Sequence, residues 1–403
     1  MLTVGMSAAD PKDDSMKSTT TLLVTCSTVF LAQLGMSIYL SALPDIAREL
    51  TVDASLVSWG LAVYLIGMAL PMLFWGSLAQ RIGRKPVLLA ALGIYGLGNL
   101  ALPLGSTLES FLVLRLLQGI GASGISVMAR VLIRDSFSGD LLARALSWLS
   151  ISFVVALGIG QYLGSIIQVA LGWPAIFYWL GGVSLAMAVV VARITFATRV
   201  EENARSATWP SYWQILRHRD FLLPALAGGL GYGVIIAFNT AAPVILQGPF
   251  NWSPVEYGLL GWPISAAYFL GALGVNGLVL RTGRLWLMTV GVGLVLAGTA
   301  VMLLGSIAAT SIAILFWLPY CFAVLGQSLN YPISLSLAND GAPVGGAYAM
   351  ALSGFIHQLM AAAIGAMASL IAGPQAWPLA LVCTLLALGA MICVMLTRLP
   401  TRA

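Results

Sequence analysis

Two ionisable side chains lie in stretches that hold no acid. Arg115 sits in the apolar segment 110–133, where only Arg115 and Arg130 carry charge, and His357 sits in the charge-free run 341–397. A guanidinium deep in a bilayer costs at least ~2.5 kcal/mol to insert, so it needs a cavity or a set of acceptors. Two roles for Arg115 stay open: facing an aqueous cavity to bind cargo, or bonding backbone carbonyls between helices. An imidazole titrates near pH ~6.5 and could carry a proton. At 100° per residue Arg115, Gln118, Gly119, Ala122, Ser126 and Arg130 share one small, polar helix face. Gln33 and Ser37 form a second stripe, and Tyr232 and Asn239 a third. Tyr320, Gln327, Asn330, Tyr331 and Ser334 form a fourth, and Ser353 and His357 a fifth. Each stripe can hydrogen-bond a neighbouring helix or line a cavity. Arg130 and Arg134 read as interface anchors, with Arg134 pairing locally with Asp135. The sequence shows no nucleophile–base arrangement, metal-ligand cluster or phosphate loop, so neither enzyme chemistry nor a cofactor or metal is expected.

The elements that position these groups follow from composition. Of 403 residues, 60% are hydrophobic and 8% charged, against roughly 25% charged in soluble domains. Charge-free runs cover 18–44, 54–80, 86–108, 145–192, 221–255, 257–280, 285–339 and 341–397. One span needs about 20 apolar residues, so 145–192, 285–339 and 341–397 hold two each. Their breaks fall at Gly172–Pro174, Ser306–Ser311 and Gly373–Pro374. With 110–133 the total is twelve spans. Backbone in lipid must satisfy itself, so these are helices. The fold class expected is an all-α membrane protein with twelve transmembrane helices in two pseudo-symmetric six-helix bundles.

Lys and Arg orient the chain. With both termini cytoplasmic, only Arg48 falls in an outer loop. The net charge of +5 is then a positive-inside bias, and no nucleic-acid partner is expected. No cleavable signal peptide is expected. Cys26, Cys321, Cys383 and Cys393 lie in spans and read as small apolar residues.

The chain divides into a cytoplasmic tail (1–19), a six-helix bundle (20–196), a cytoplasmic linker (197–220), a second bundle (221–398) and a tail (399–403). Trp209, Trp213 and Ile215 could lay part of the linker on the membrane surface. Residues 76–85, GSLAQRIGRK, and 276–285, NGLVLRTGRL, repeat Leu, Arg, Gly and Arg in a 200-residue register. Both copies fall at equivalent inner turns, between spans 2 and 3 and between spans 8 and 9. Parallel six-span repeats with cargo bound between them are a transporter architecture.

These motifs resemble the major facilitator superfamily. GSLAQRIGRK is similar to its G-x-L-a-D-r-x-G-r-k signature, and RLLQGIGAS (115–123) to its span 4 signature. YLSALPDIA (39–47), VMARVLIRD (127–135), GWPAIF (172–177) and VILQGPFNWSPVEYGLL (244–260) resemble the bicyclomycin-resistance (Bcr/CflA) group of drug exporters. The resemblance implies a gating turn made of Gly76, Gln80, Arg81, Gly83, Arg84 and Lys85. It implies a central cavity, for which Gln33, Ser37, Arg115, Gln118, Tyr232, Asn239, Gln327, Asn330, Tyr331 and His357 are the candidates. It also links Arg115 to proton coupling. Four positions depart from the family pattern. Gln80 and Ser37 stand where relatives carry acids, Gln161 where they carry the antiporter proline, and His357 where a Gln is usual. His357 and Arg115 are therefore the proton-coupling candidates.

The resulting expectation is an efflux transporter in a bacterial inner membrane. It exports a small amphiphilic molecule by alternating access, coupled to protons, and works as a monomer in the lipid bilayer. Two alternatives stay open. One is export of an anionic siderophore or carboxylate metabolite, which suits Arg115 without a balancing carboxylate. The other is a membrane sensor that moves nothing.

Overall fold

A computed structural model describes residues 11–137, 139–194, 209–308, 312–343 and 347–397. The described residues form helices and turns, with no strand. The first half comprises α1 (Pro11–Ser37), α2 (Leu43–Glu49), α3 (Ala54–Ala69), α4 (Met72–Ile82), α5 (Arg84–Ala101), α6 (Leu108–Ser136), α7 (Gly139–Leu171) and α8 (Trp173–Arg193). The short α9 (Trp209–Leu216) precedes the second half. That half comprises α10 (Arg219–Gln247), α11 (Pro254–Leu259), α12 (Gly261–Thr282), α13 (Arg284–Ala308), α14 (Ile314–Asp340), α15 (Ala347–Ile371) and α16 (Trp377–Thr397).

Ten helical segments are long and apolar enough to cross a membrane. The other two crossings are α3 with α4, and α14. The charge-free run 54–80 reads as one unbroken span, but the structure breaks it at Leu70–Pro71. Proline removes a helical donor and crowds the preceding turn. The many polar residues of α14 lower its apolarity without breaking it.

The two halves repeat one packing plan. α6 packs against α1, α3 and α5, and α14 packs against α10, α12 and α13. Between the halves, α3 meets α15, and α7 meets α11 and α12. The repeated turn has one backbone geometry in both copies. Gly83 has φ 94° and ψ 161°, and Gly283 has φ 81° and ψ 151°, a region open essentially to glycine alone.

The arginine after each glycine reaches the far end of its bundle's fourth span. Arg84 Nε donates to Asp135 Oδ2 at 3.0 Å, and Arg284 Nη1 donates to Asp340 Oδ2 at 2.5 Å. Asp135 therefore pairs with Arg84, not with Arg134 as the sequence suggests. Adjacent residues on a helix project about 100° apart and do not face each other. The turn thus keeps a carboxylate tie to a neighbouring helix although Gln80 replaces the acid within it; the Gln80 side chain lies outside the described residues. Lys85 Nζ donates to the carbonyls of Ala192 (2.7 Å) and Ile194 (2.8 Å), capping α8. Arg219 does the same for α16 through the Leu396 carbonyl, at 2.7 Å. Cations suit helix C-termini, where unpaired carbonyls gather. These cations mark the basic end of the molecule.

In the linker, residues 197–208 lie outside the described residues. Over α9, Ile215 is buried against the second half, while Trp213 is exposed with the Arg217 guanidinium 5.2 Å from its ring.

Candidate substrate cleft

Arg115 bonds backbone carbonyls of two neighbouring helices. It is fully buried, and its Nε donates to the Gly60 carbonyl at 3.2 Å. Its Nη1 donates to the Gly35 carbonyl at 2.9 Å and to Gln118 Oε1. The guanidinium carbon lies 4.1 Å from the Tyr39 ring centre and 4.6 Å from that of Tyr64. Cations over aromatic faces are attracted by the ring quadrupole, more so when desolvated. Gln118 extends the network by donating to Asn99 Oδ1 at 2.7 Å. Tyr64 and Tyr95 hydroxyls donate to the carbonyls of Ala32 and Leu31, each at 2.7 Å. Arg115 and Gln118 thus join α1, α3, α5 and α6 behind the wall that faces the second half.

On α1, Gln33 is buried, and Ser37 donates to the Ala156 carbonyl on α7 at 3.3 Å. Gly158 on α7 and Gly261 on α12 bring the halves together. A methyl group added at Gly158 would lie 2.6 Å from the Gly261 carbonyl oxygen, too close for any side chain.

A narrow cleft lies between the halves beside this contact. From α7 come Phe153 and Gln161, and from α10 come Tyr232, Ile235 and Asn239. α12 adds Ile264, Ser265 and Tyr268, while α14 adds Val324, Gln327 and Tyr331. Four aromatic rings and three amides line it, and among the described residues no charged side chain does. Gln161 Nε2 donates to Asn239 Oδ1 at 3.3 Å, and the Tyr232 hydroxyl approaches Met36 Sδ at 3.9 Å; both contacts cross between the halves. The Gln161 Oε1 atom is buried without a partner.

Of the sequence candidates, the cleft gathers Tyr232, Asn239, Gln327 and Tyr331. Asn330 and His357 lie behind it. Gln327 Nε2 donates to the Gly228 carbonyl (3.1 Å) and Asn330 Nδ2 to that of Ala227 (3.1 Å). His357 Nε2 lies 2.9 Å from the Ala225 carbonyl, which assigns the ring proton to that nitrogen, and its Nδ1 is buried without a partner. The Tyr331 ring stands 5.2 Å from the His357 ring and 5.8 Å from that of Tyr232. Thus α14 and α15 clamp the carbonyls of α10 as Arg115 and the tyrosines clamp those of α1. Gln161 appears in the sequence only as a departure from the family pattern. Phe153, Ile264, Ser265, Tyr268 and Val324 carry no sequence signal beyond their apolar surroundings. Among the described residues no His, Cys, Asp and Glu group could hold a metal ion.

Two six-helix bundles of one plan, with a cleft between them, define a membrane transporter. The chain belongs to the Major Facilitator Superfamily, whose model matches residues 25–366. It is 28% identical over 372 residues to a chloramphenicol resistance protein of Pseudomonas aeruginosa, covering 89% of this chain and 85% of that protein. It is 26% identical over 318 residues to the multidrug resistance protein MdtL of Shewanella oneidensis, covering 79% of this chain and 80% of MdtL. Among solved structures, a bacterial homologue of the lysosomal transporter Spinster, inward-facing and unoccupied, aligns with a TM-score of 0.70. That match has 14% identity and covers 96% of this chain and 95% of the other. The nucleoside transporter NupG aligns at 0.71 with 12% identity, covering 94% and 98%. These two likenesses concern the fold.

Proposed function

We infer that this chain exports small aromatic amphiphiles of the chloramphenicol kind from the bacterial cytoplasm across the inner membrane. The observation that carries this reading is the cleft: four rings, three amides and, among the described residues, no charge, at the meeting of the two bundles. Rings supply stacking area and amides supply both donors and acceptors. Such a wall suits a neutral aromatic molecule bearing amide or hydroxyl groups. The resistance proteins among its relatives support the direction of transport. The basic end faces the cytoplasm, following the positive-inside rule.

The bundles rock about the Gly158–Gly261 contact to expose the cleft to each side in turn. The paired ties at Asp135 and Asp340 hold the turns of each bundle rigid during that motion.

Protons drive export, with His357 as the carrier. It lies where α10, α14 and α15 meet, and its free Nδ1 can accept a proton at a place sharing the Tyr331 ring with the cleft. Protonation there would strain the packing around Tyr331 and so compete with cargo. The test is uptake of radiolabelled chloramphenicol into proteoliposomes with and without an imposed pH gradient. Gradient-driven uptake that loses its pH response in His357→Gln is expected. No uptake under either condition contradicts the exporter reading, and an unchanged pH response in His357→Gln contradicts the role of the imidazole.

A further inference from the structure

A cavity of about 450 Å³ lies in the second bundle, at the end opposite the basic end. Four separate stretches of chain enclose it. Phe250 comes from the turn after α10 and Ser306 from the last turn of α13. Ile312 and Phe316 come from around the start of α14, and Gln375 and Trp377 from where α15 gives way to α16. From Phe316 to Asp340 at the basic end, α14 runs about 36 Å at 1.5 Å per residue. With the basic end in the cytoplasm, the cavity stands on the side to which cargo is released.

Its size falls within the roughly 300–1,000 Å³ of small-molecule sites. Its wall repeats the chemistry of the cleft: three aromatic rings, one amide, one hydroxyl and, among the described residues, no charged side chain. Gln375 Oε1 accepts from the Trp377 indole N–H at 2.9 Å, and the carboxamide has N–H donors of its own. Ser306 Oγ donates to the Met302 carbonyl at 2.7 Å, and its lone pairs can accept. The Phe316 ring is fixed. It is buried with its centre 5.3 Å from that of Phe238, and Phe238 stacks in turn on Tyr320. A wall held this way needs no ordering when a ligand arrives. Trp377 and Ile312, 41% and 48% exposed, form the open side, so entry does not require the bundle to unpack. Phe238 stands one residue before Asn239 and Tyr320 one turn before Val324, both in the cleft wall. Cavity and cleft thus share α10 and α14 but no lining residue.

We propose that this cavity is a second binding site, reached from the outer side, for neutral aromatic molecules that carry hydrogen-bonding groups. This is the class of cargo inferred for the cleft, and the choice of that class rests on that reading. An aromatic ring lies against Phe316 and Trp377, where stacked and edge contacts add to burial. Its polar substituents meet Gln375 and Ser306. A bilayer phospholipid is the other molecule near this face, and the described lining residues offer no cation to hold its phosphate.

Equilibrium dialysis of radiolabelled chloramphenicol against the purified full-length protein counts the sites. Wild type should bind about two molecules per chain, and Ile312→Trp, which fills the cavity with a ring, about one. Trp377→Ala should weaken one site at least about tenfold and leave the other unchanged. Tyr268→Ala, in the cleft, should remove the site that Ile312→Trp leaves. The binding that Ile312→Trp retains also shows that this variant is folded. One site in wild type, removed by Tyr268→Ala and not by Ile312→Trp, would overturn the proposal and keep the cleft reading. One site removed by Ile312→Trp and not by Tyr268→Ala would support the outer site and overturn the cleft reading. Phospholipid is measured in the same preparations. Bound lipid lost in Ile312→Trp, with chloramphenicol binding untouched, would make the cavity a lipid site and overturn the proposal. Wild-type protein that binds no chloramphenicol would overturn both readings.

Discussion

The two bundles share a plan and differ in what fills its centre. Arg115 and Tyr320 occupy matching places, twenty residues before Asp135 and Asp340. In the first bundle that place holds a guanidinium whose bonds go to backbone carbonyls and whose faces meet tyrosine rings. In the second it holds a ring stacked on Phe238, with centres 3.6 Å apart and planes at 8°, and its hydroxyl has no partner. The cleft shows the same asymmetry, since all its lining residues except Phe153 and Gln161 come from the second bundle. One bundle thus uses its polar groups to hold its own helices together. The other presents part of its polar inventory to the space between them. A duplicated fold can divide labour this way, because equivalent positions need only conserve packing.

The largest effect that would test this contrast is at Arg115. Arg115→Ala leaves the Gly35 and Gly60 carbonyls and Gln118 without their donor and opens a hole between two tyrosine rings. It should lower the stability of the purified protein by about 3 kcal/mol or more, read as a fall in thermal or denaturant midpoint. Intact stability with lost transport would instead make Arg115 a cargo residue.

The next effect compares the two ties. The Arg84 and Asp135 side chains are 16% and 6% exposed, whereas Arg284 and Asp340 are 45% and 53% exposed. Asp135→Asn should cost about 1–3 kcal/mol, and Asp340→Asn no more than about 1 kcal/mol because water screens that pair. Equal costs would show that the two turns are held alike. The smallest effect is at Tyr320. Removing a hydroxyl that has no partner while keeping the stacked ring, as in Tyr320→Phe, should change stability by less than about 1 kcal/mol, measured in the same unfolding assay. A larger loss would mean that this hydroxyl has a partner when the bundles rock.

Much of the frame was legible in the sequence. Charge-free runs mark the helices, and the breaks at Gly172 and Gly373–Pro374 fall between α7 and α8 and between α15 and α16. The paired turns were legible because a positive-φ glycine followed by a basic residue is a local feature. What stayed hidden was each side chain's partner. The acceptors of Arg115 are backbone carbonyls 55 and 80 residues away, and a carbonyl leaves no trace in residue type. Asp135 has an arginine beside it in sequence and another 51 residues away that it binds; only helix geometry chooses between them. The polar stripes of α10 and α14 were visible, but whether a residue such as Asn330 faces the cleft or an α10 carbonyl depends on a rotation too small for the stripe to resolve. Aromatic and aliphatic lining such as Phe153 and Ile264 looks like any lipid-facing residue.

The division of labour stands or falls on whether cargo passes through the cleft. Proteoliposomes carrying Tyr268→Ala or Asn239→Leu change the wall of the cleft without touching the Arg115 network. Chloramphenicol flux driven by a pH gradient should fall at least about tenfold in each, with the unfolding midpoint close to that of wild type. Wild-type flux in both variants, in a preparation where the unaltered protein transports chloramphenicol, would place the cargo path elsewhere.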